Sequence, residues 1–198
     1  MIKLPRLEDD LSKSFYARPT PIVARDLIGK AIIHKVDGTW TGGLIVETEA
    51  YLAVDDLASH SARGLTKSNA SMFAAAGTLY VYPIHAKYCM NVVTESEGSG
   101  AAVLLRAIEP IWGIDAMQIR RGHDDIRRLT RGPAMLCQAL QVDRRLDGHD
   151  LIRSKSIRLA SIADNQSFEV DDAPRIGISK AQDLPLRFTL RGSRFLSR

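Results

Sequence analysis

Cysteine is scarce in this chain. The 198 residues contain two, Cys89 and Cys137, far apart and without a CxxC pair. That spacing suggests neither a disulfide framework nor a zinc site, and two buried thiols in a reducing compartment are expected. No run of about 18 apolar residues occurs, so no membrane-spanning helix is expected. The start, Met1-Ile2-Lys3-Leu4-Pro5-Arg6, lacks the apolar stretch of a secretory signal. These absences point to a soluble intracellular protein without a membrane partner. Repeats, low-complexity tracts and long linkers are missing too, and the length suits a single domain.

What is present is a globular composition, 45% hydrophobic and 25% charged, enough to bury a core. The net charge is +4. This moderate basicity favours an acidic partner such as nucleic acid but does not establish one.

Residues 1–19 are polar, carry Pro5 and Pro19, and read as a loosely attached leader before a domain over 20–198. Thr20-Pro21 predicts a helix start with Thr20 as N-cap, and Gly29 a stop. Ala31 to Val36 predicts a strand, Asp37-Gly38 a hairpin turn, and Gly43 to Tyr51 a second strand. Residues 53–77 look irregular. Thr78 to Tyr82 predicts a strand broken by Pro83, resuming over Cys89 to Thr94. Ala101 to Ile108 predicts a nearly continuous apolar strand. Helices are expected over Pro110 to Arg121 and from Gly132-Pro133 through Leu140, a turn at Asp147-Gly148 and a strand over Leu186 to Arg191. Without regular βαβ alternation, the fold class is α+β.

Four features carry chemistry. Strict alternation puts Glu47, Glu49 and Tyr51 on one strand face and Val46, Thr48 and Ala50 on the other. A carboxylate beside an aromatic ring can activate a water and stack a flat ligand, or both can be edge residues facing solvent. His60 lies in a loop, where a histidine is commonly a surface residue. Tyr80 and Tyr82 share a strand face, as a stacking platform or as packing. Arg106 interrupts Val103-Leu104-Leu105-Arg106-Ala107-Ile108. An arginine in a strand interior needs an anion, and Glu49 or Glu47 is the natural one. Glu49 and Arg106 could hold a water between them while Tyr51, Tyr82 and His60 clamp a planar group. Glu47, Glu49, Asp55 and Asp56 match no metal-site spacing.

Ordered motifs then accumulate: Ile45-Val46-Glu47-Thr48-Glu49-Ala50-Tyr51, Ala58-Ser59-His60-Ser61, Met72-Phe73, Gly77-Thr78-Leu79-Tyr80-Val81-Tyr82, Asn91, Val103 to Pro110, Arg131-Gly132-Pro133, Leu136 to Leu140, Arg175-Ile176-Gly177-Ile178 and Pro185-Leu186-Arg187-Phe188. Over about residues 20–192 the chain resembles the 3-methyladenine (alkyladenine) DNA glycosylase family. The resemblance implies a single mixed α+β domain around a curved antiparallel sheet, with a DNA-inserting β-hairpin. It implies a monofunctional, metal-free and cofactor-free hydrolase of the N-glycosidic bond of alkylated or deaminated purines. The partner would be double-stranded DNA containing damaged purines, and the enzyme would act as a monomer, in the cytoplasm and nucleoid of a bacterium or the nucleus of a eukaryote.

Residue by residue, the resemblance makes Glu49 the base that deprotonates the attacking water. Arg106 and the Ile178 carbonyl help hold that water. Tyr51 would stack on one face of the flipped base, with His60 and Tyr82 on the other and Tyr80 supporting His60. Asn91 and Leu104 would restrict the pocket against guanine. The chain departs from the family at Tyr82 to Tyr88, one residue short, which leaves His85 or Ile84 as the wedge. It also has Met135 where the family often has lysine. The expected DNA-backbone contacts are Arg120, Arg121, Arg127, Arg128 and Arg131, with Arg191, Arg194 and Arg198 less favoured. Two other readings stand beside this one: a non-catalytic nucleic-acid-binding protein on the same fold, and a metal-dependent hydrolase using the acidic cluster.

Overall fold

The apolar runs of the sequence become strands of one curled antiparallel sheet. The computed structural model describes residues 6–163 and 167–197; Arg198 lies outside them. In chain order the elements are β1 (Leu7–Asp10), α1 (Lys13–Tyr16), α2 (Thr20–Asp26), β2 (Ala31–Val36), β3 (Thr39–Tyr51), β4 (Thr78–Ile84), β5 (Lys87–Thr94), β6 (Ala101–Trp112), α3 (Ile114–Arg121), α4 (Ile126–Leu129), α5 (Pro133–Leu140), β7 (His149–Asp150), β8 (Ile157–Ile162), β9 (Val170–Ala173) and β10 (Arg187–Leu190). Strand order is β1-β8-β2-β3-β6-β5-β4-β7, with β10 joined to β3 and β9 to β10. The fold is a single mixed α+β domain.

β3 is the spine of the sheet. β6 pairs along its length on one edge, while the other edge is shared by β2, over Thr39 to Leu44, and β10, over Glu47 to Glu49. Gly42 and Gly43 allow the close approach near its start. A Cβ at either would collide with the carbonyl oxygen of Ile32 or Glu109.

The β3–β6 ladder shifts register twice in its middle, on either side of Glu47. Ile45 pairs with Ile108, Glu47 with Ala107 and Thr48 with Leu105, which leaves Val46 and Arg106 unpaired on facing strands. Such bulges re-aim side chains. Here they break the alternation expected from the sequence. Ile45 joins Ala50 in the main core, and Val103 and Leu105 are joined there by Ile108 rather than by Ala107. Val46 therefore does not share the Thr48–Ala50 face.

The main core lies between one sheet face and α2, α3 and α5. From α5, Leu136, Cys137, Ala139 and Leu140 enter it, as their helical spacing predicts. The opposite face carries a smaller cluster of Met72, Tyr80, Val93 and Ala102, with Tyr51, Phe73 and Tyr82 packed against it. The segment between β3 and β4 covers this second face with two single-turn helices, His60–Arg63 and Ala70–Phe73.

Several sequence expectations need correction. Within the stretch read as a loose leader, the described residues are built into the fold: β1 pairs with β8, and Tyr16 is 0% exposed. Pro19, not Thr20, caps α2, and the Thr20 hydroxyl instead bonds Thr94 and Glu95. β4 runs through Pro83, where its only ladder partner is β5 and the missing N–H faces a free edge. Pro110 to Trp112 continue β6 opposite Gly42 and Gly43, so α3 starts only at Ile114, after Gly113 in a left-handed conformation (φ 66°).

Candidate active site

The bulged ladder aims three charged groups at one place. Arg106 Nη1 lies 3.1 Å from Glu49 Oε2, and its Nε lies 3.1 Å from Glu47 Oε1. Both glutamates are 0% exposed. Two isolated carboxylates could not be buried here, and the donors around them explain why these are tolerated. Glu47 accepts from Arg106, from Arg187 on β10 at 2.7 Å, and from the Ser197 N–H and hydroxyl at 2.6 and 2.8 Å. Burial alone would raise its pKa. The Ser197 N–H, Arg106 and Arg187 outweigh burial and hold Glu47 below the ordinary carboxylate range.

Glu49 has a different set of partners. Oε2 takes Arg106 and the Tyr51 hydroxyl at 3.0 Å, and Oε1 takes the Ile176 N–H at 2.8 Å. A carboxylate has about four acceptor sites, so one on Oε1 remains for a further donor. The sequence placed a water between Glu49 and Arg106. The two are instead in direct contact, because the unpaired Arg106 points straight across at the carboxylate.

In front of Glu49 opens a cavity of about 400 Å³. Tyr51, Arg106 and the Ile176–Ile178 segment form one wall, and His60, Tyr80 and Tyr82 line another part. Asn91 and Leu104, cross-strand partners on β5 and β6, also line it, with Met72 and Cys89. The side-chain amide of Asn91 donates to the Tyr80 carbonyl at 3.2 Å. His60 meets Tyr82 edge-on, with ring centroids 4.5 Å apart, and its Nδ1 lies 2.8 Å from the Tyr80 hydroxyl. Burial and nearby Arg63 lower the His60 pKa, while burial pushes the Tyr80 hydroxyl up to about 12. Tyr80 therefore keeps its proton, and its hydroxyl shares one hydrogen bond with the His60 ring. The Ile178 carbonyl, expected at the water, accepts from the Gln182 amide at 2.7 Å.

β4 and β5 project from this wall as a hairpin with a two-residue turn. Ile84 pairs with Lys87, and His85 and Ala86 both have positive φ, 44° and 60°. That is the requirement of a type I′ turn. His85 stands exposed at the apex, whereas Ile84 lines the cavity. The Lys87 ammonium reaches to 4.0 Å from the Met135 sulfur, so the hairpin itself brings a cation to that position.

The arginines expected to meet DNA divide in two. Arg120 donates to the Thr41 hydroxyl and Ala139 carbonyl, Arg121 to the Leu129 carbonyl and Gln138, and Arg131 to the Leu196 carbonyl. These three bind the protein to itself. Arg127 and Arg128 are exposed. Arg191 pairs with Glu169 and Asp171. Sequence reasoning passed over Arg63 and Arg144, which line a groove behind the His60–Tyr80–Tyr82 wall. It also assigned no role to Ile176 N–H, Ser197 or the Asp56–Arg175 pair. A backbone donor and contacts more than a hundred residues apart leave no local pattern to read. Among the described residues no group of three or more His, Cys, Asp or Glu is placed to hold a metal ion.

A buried carboxylate and arginine thus lie behind an aromatic-lined cavity. The family described as "Methylpurine-DNA glycosylase (MPG)" matches residues 14–194. A protein of Rhodopirellula baltica is 52% identical over 94% of this chain and 82% of its own length. One of Methanoculleus marisnigri is 48% identical over 95% and 98%, and one of Legionella pneumophila (strain Lens) is 41% identical over the full length of both. All three carry the name "Putative 3-methyladenine DNA glycosylase". The chain belongs to the methylpurine-DNA glycosylase family and is a DNA glycosylase, a hydrolase of N-glycosyl compounds.

Proposed function

We propose that the enzyme releases alkylated and deaminated purines from double-stranded DNA by flipping the nucleotide into the 400 Å³ cavity and attacking C1′ with a water activated by Glu49. The observation that carries this reading is Glu49 itself, fully buried behind Tyr51 and Arg106 with one acceptor site left on Oε1. The water donates to that site, beside the Glu49–Arg106 pair. Glu49 takes its proton as the C1′–O bond forms and the C1′–N bond breaks. The electron pair of the broken bond leaves with the base. A base already cationic through alkylation leaves without a proton donor.

Flipping costs a few kcal/mol. Stacking on Tyr51 and against His60 and Tyr82 returns about 1–3 kcal/mol per base. Electron-rich rings also attract a cationic purine. Asn91 and Leu104 narrow the floor, where the 2-amino group of a normal guanine would have to fit. His85, at the hairpin apex, fills the gap in the duplex, and Ile84 guards the cavity rim. Arg63, Lys87, Arg127 and Arg128 supply phosphate contacts.

Duplexes carrying 3-methyladenine, 7-methylguanine, hypoxanthine or ethenoadenine test the reading, with free base measured in single turnover. Glu49→Gln should slow release by about 10²–10⁴-fold while binding lesion DNA nearly as the wild type does. A Glu49→Gln rate close to wild type would remove Glu49 from the role of base. Inhibition of the wild type by a chelator would favour the metal-dependent alternative.

A further inference from the structure

We propose that Arg175, locked by Asp56, is a positioning residue that fixes both the Glu49 carboxylate and the Tyr51 ring; this rests on the glycosylase reading above.

The geometry begins with a two-pronged ion pair. Arg175 Nη1 and Nη2 donate to the two oxygens of Asp56 at 2.6 and 2.7 Å, and both side chains are 0% exposed. Nη1 also reaches the Ala50 carbonyl at 3.0 Å, between Glu49 and Tyr51 on β3. Asp56 is held in turn by the N–H groups of Leu52 and Ala58 at 3.0 and 3.1 Å. The guanidinium carbon lies 4.7 Å from the centre of the Tyr51 ring. Tyr51 lines the cavity and Arg175 is buried outside its lining, so the cation backs the ring from the side away from the substrate. The residue after Arg175 is Ile176, whose N–H holds Glu49 Oε1. One side chain therefore anchors the strand that carries base and stacking ring, the loop behind that ring, and the segment that orients the base.

Stability alone does not account for such a pair. A buried ion pair is often no more stabilising than apolar residues of the same volume, because desolvation offsets the attraction. What it supplies is geometry. Three planes are set at once: the Asp56 carboxylate, the guanidinium and the Tyr51 ring. Lysine cannot reproduce the two-pronged, stacked arrangement. Displacement of a reacting group by about 1 Å can cost about 10²-fold in rate.

Two variants test this. Arg175→Lys keeps the charge and loses the fork. Asp56→Asn with Arg175→Gln removes both charges together, which avoids stranding one in the interior. Single-turnover base release should fall at least tenfold in both, more in the double variant, with thermal unfolding and undamaged-duplex affinity near wild type. Single-turnover rates at saturating enzyme, set against lesion-duplex affinity, supply a readout that a purely structural role would not move. Misplacing Glu49 and the Ile176 N–H that orients it should lower the saturated rate more than the affinity. Wild-type rates in both variants would overturn the proposal. So would a rate loss that merely tracks lost folding, or one matched by an equal loss of lesion-duplex affinity. Failure of the wild type to release any of the lesion bases would instead overturn the glycosylase reading, and this inference with it.

Discussion

His60 shows how much a single protonation state can decide. Burial and Arg63 hold its pKa below the ordinary value of 6.5, and its Nδ1 is hydrogen-bonded to the Tyr80 hydroxyl. A neutral ring can lie against a cationic purine; an imidazolium would repel it. Release of cationic 7-methylguanine should therefore fall more steeply than release of neutral hypoxanthine between about pH 7 and about pH 5. Parallel profiles for the two bases would remove His60 from contact with the substrate. The same shift has a sign for folding. The unfolded chain takes up the proton first, so the contribution of His60 to stability is present above pH 6.5 and is lost as pH falls through the lower folded value. Glu49 and Arg106 were legible as single residues, because an ionised group in an apolar strand demands a partner. Asp56 was not, since nothing near it in the chain hints at Arg175.

Among the elements, the β4–β5 hairpin carries the sharpest expectation. Glycine accepts the left-handed conformation of His85 at no steric cost. His85→Gly should thus keep the turn and the stability of the fold while removing the side chain proposed as the wedge. Base release from lesion duplexes should fall about tenfold, in line with losing help worth about 1.4 kcal/mol, with release from single-stranded lesion oligonucleotides unchanged. An equal loss on both substrates would show that His85 acts on the cavity and not on the duplex. The strands richest in apolar residues, β2, β5 and most of β6, were readable from their runs. β8 and β9 were not, because Arg158, Asp171 and Asp172 interrupt them. Pro83 and Pro110 misled for one reason. Proline is compatible with a strand wherever its missing N–H faces no ladder partner or a bulge, and local sequence does not disclose which.

Over the whole molecule, the net charge of +4 is modest, and its placement matters more than its sum. Arg120, Arg121 and Arg131 tie α3 and the segment before α5 to carbonyl oxygens, so they are not available as a row of phosphate ligands. Arg63 lines the groove behind the His60–Tyr80–Tyr82 wall, and Lys87 stands on the β4–β5 hairpin, far from it in the chain. Each phosphate neutralised should lower the slope of log affinity against log salt by about 0.9. A duplex titration across salt should give a slope steeper than about −2, made shallower by Arg63→Ala and unaffected by Arg120→Gln in variants that remain folded. A flat titration would contradict DNA as the partner. The basic run between Arg120 and Arg131 looked like a DNA face in the sequence because charge spacing says nothing about which guanidinium groups are already satisfied inside the protein.

The facing irregularity at Val46 and Arg106 also bears on how the protein tolerates changes of length. Registers on its two sides agree: Ile45 with Ile108 and Thr48 with Leu105 have the same offset. Each strand gives up one pairing position, and the two concessions cancel. Loss of one residue from only one strand would turn everything on one side of the break over by half a period. Either Ile45 would leave the core or Glu49 and Tyr51 would leave the cavity. Substitutions here change one side chain, but a one-codon deletion would invert half a strand, so gene-length variation in this family member should be confined to the loops beyond β3 and β6.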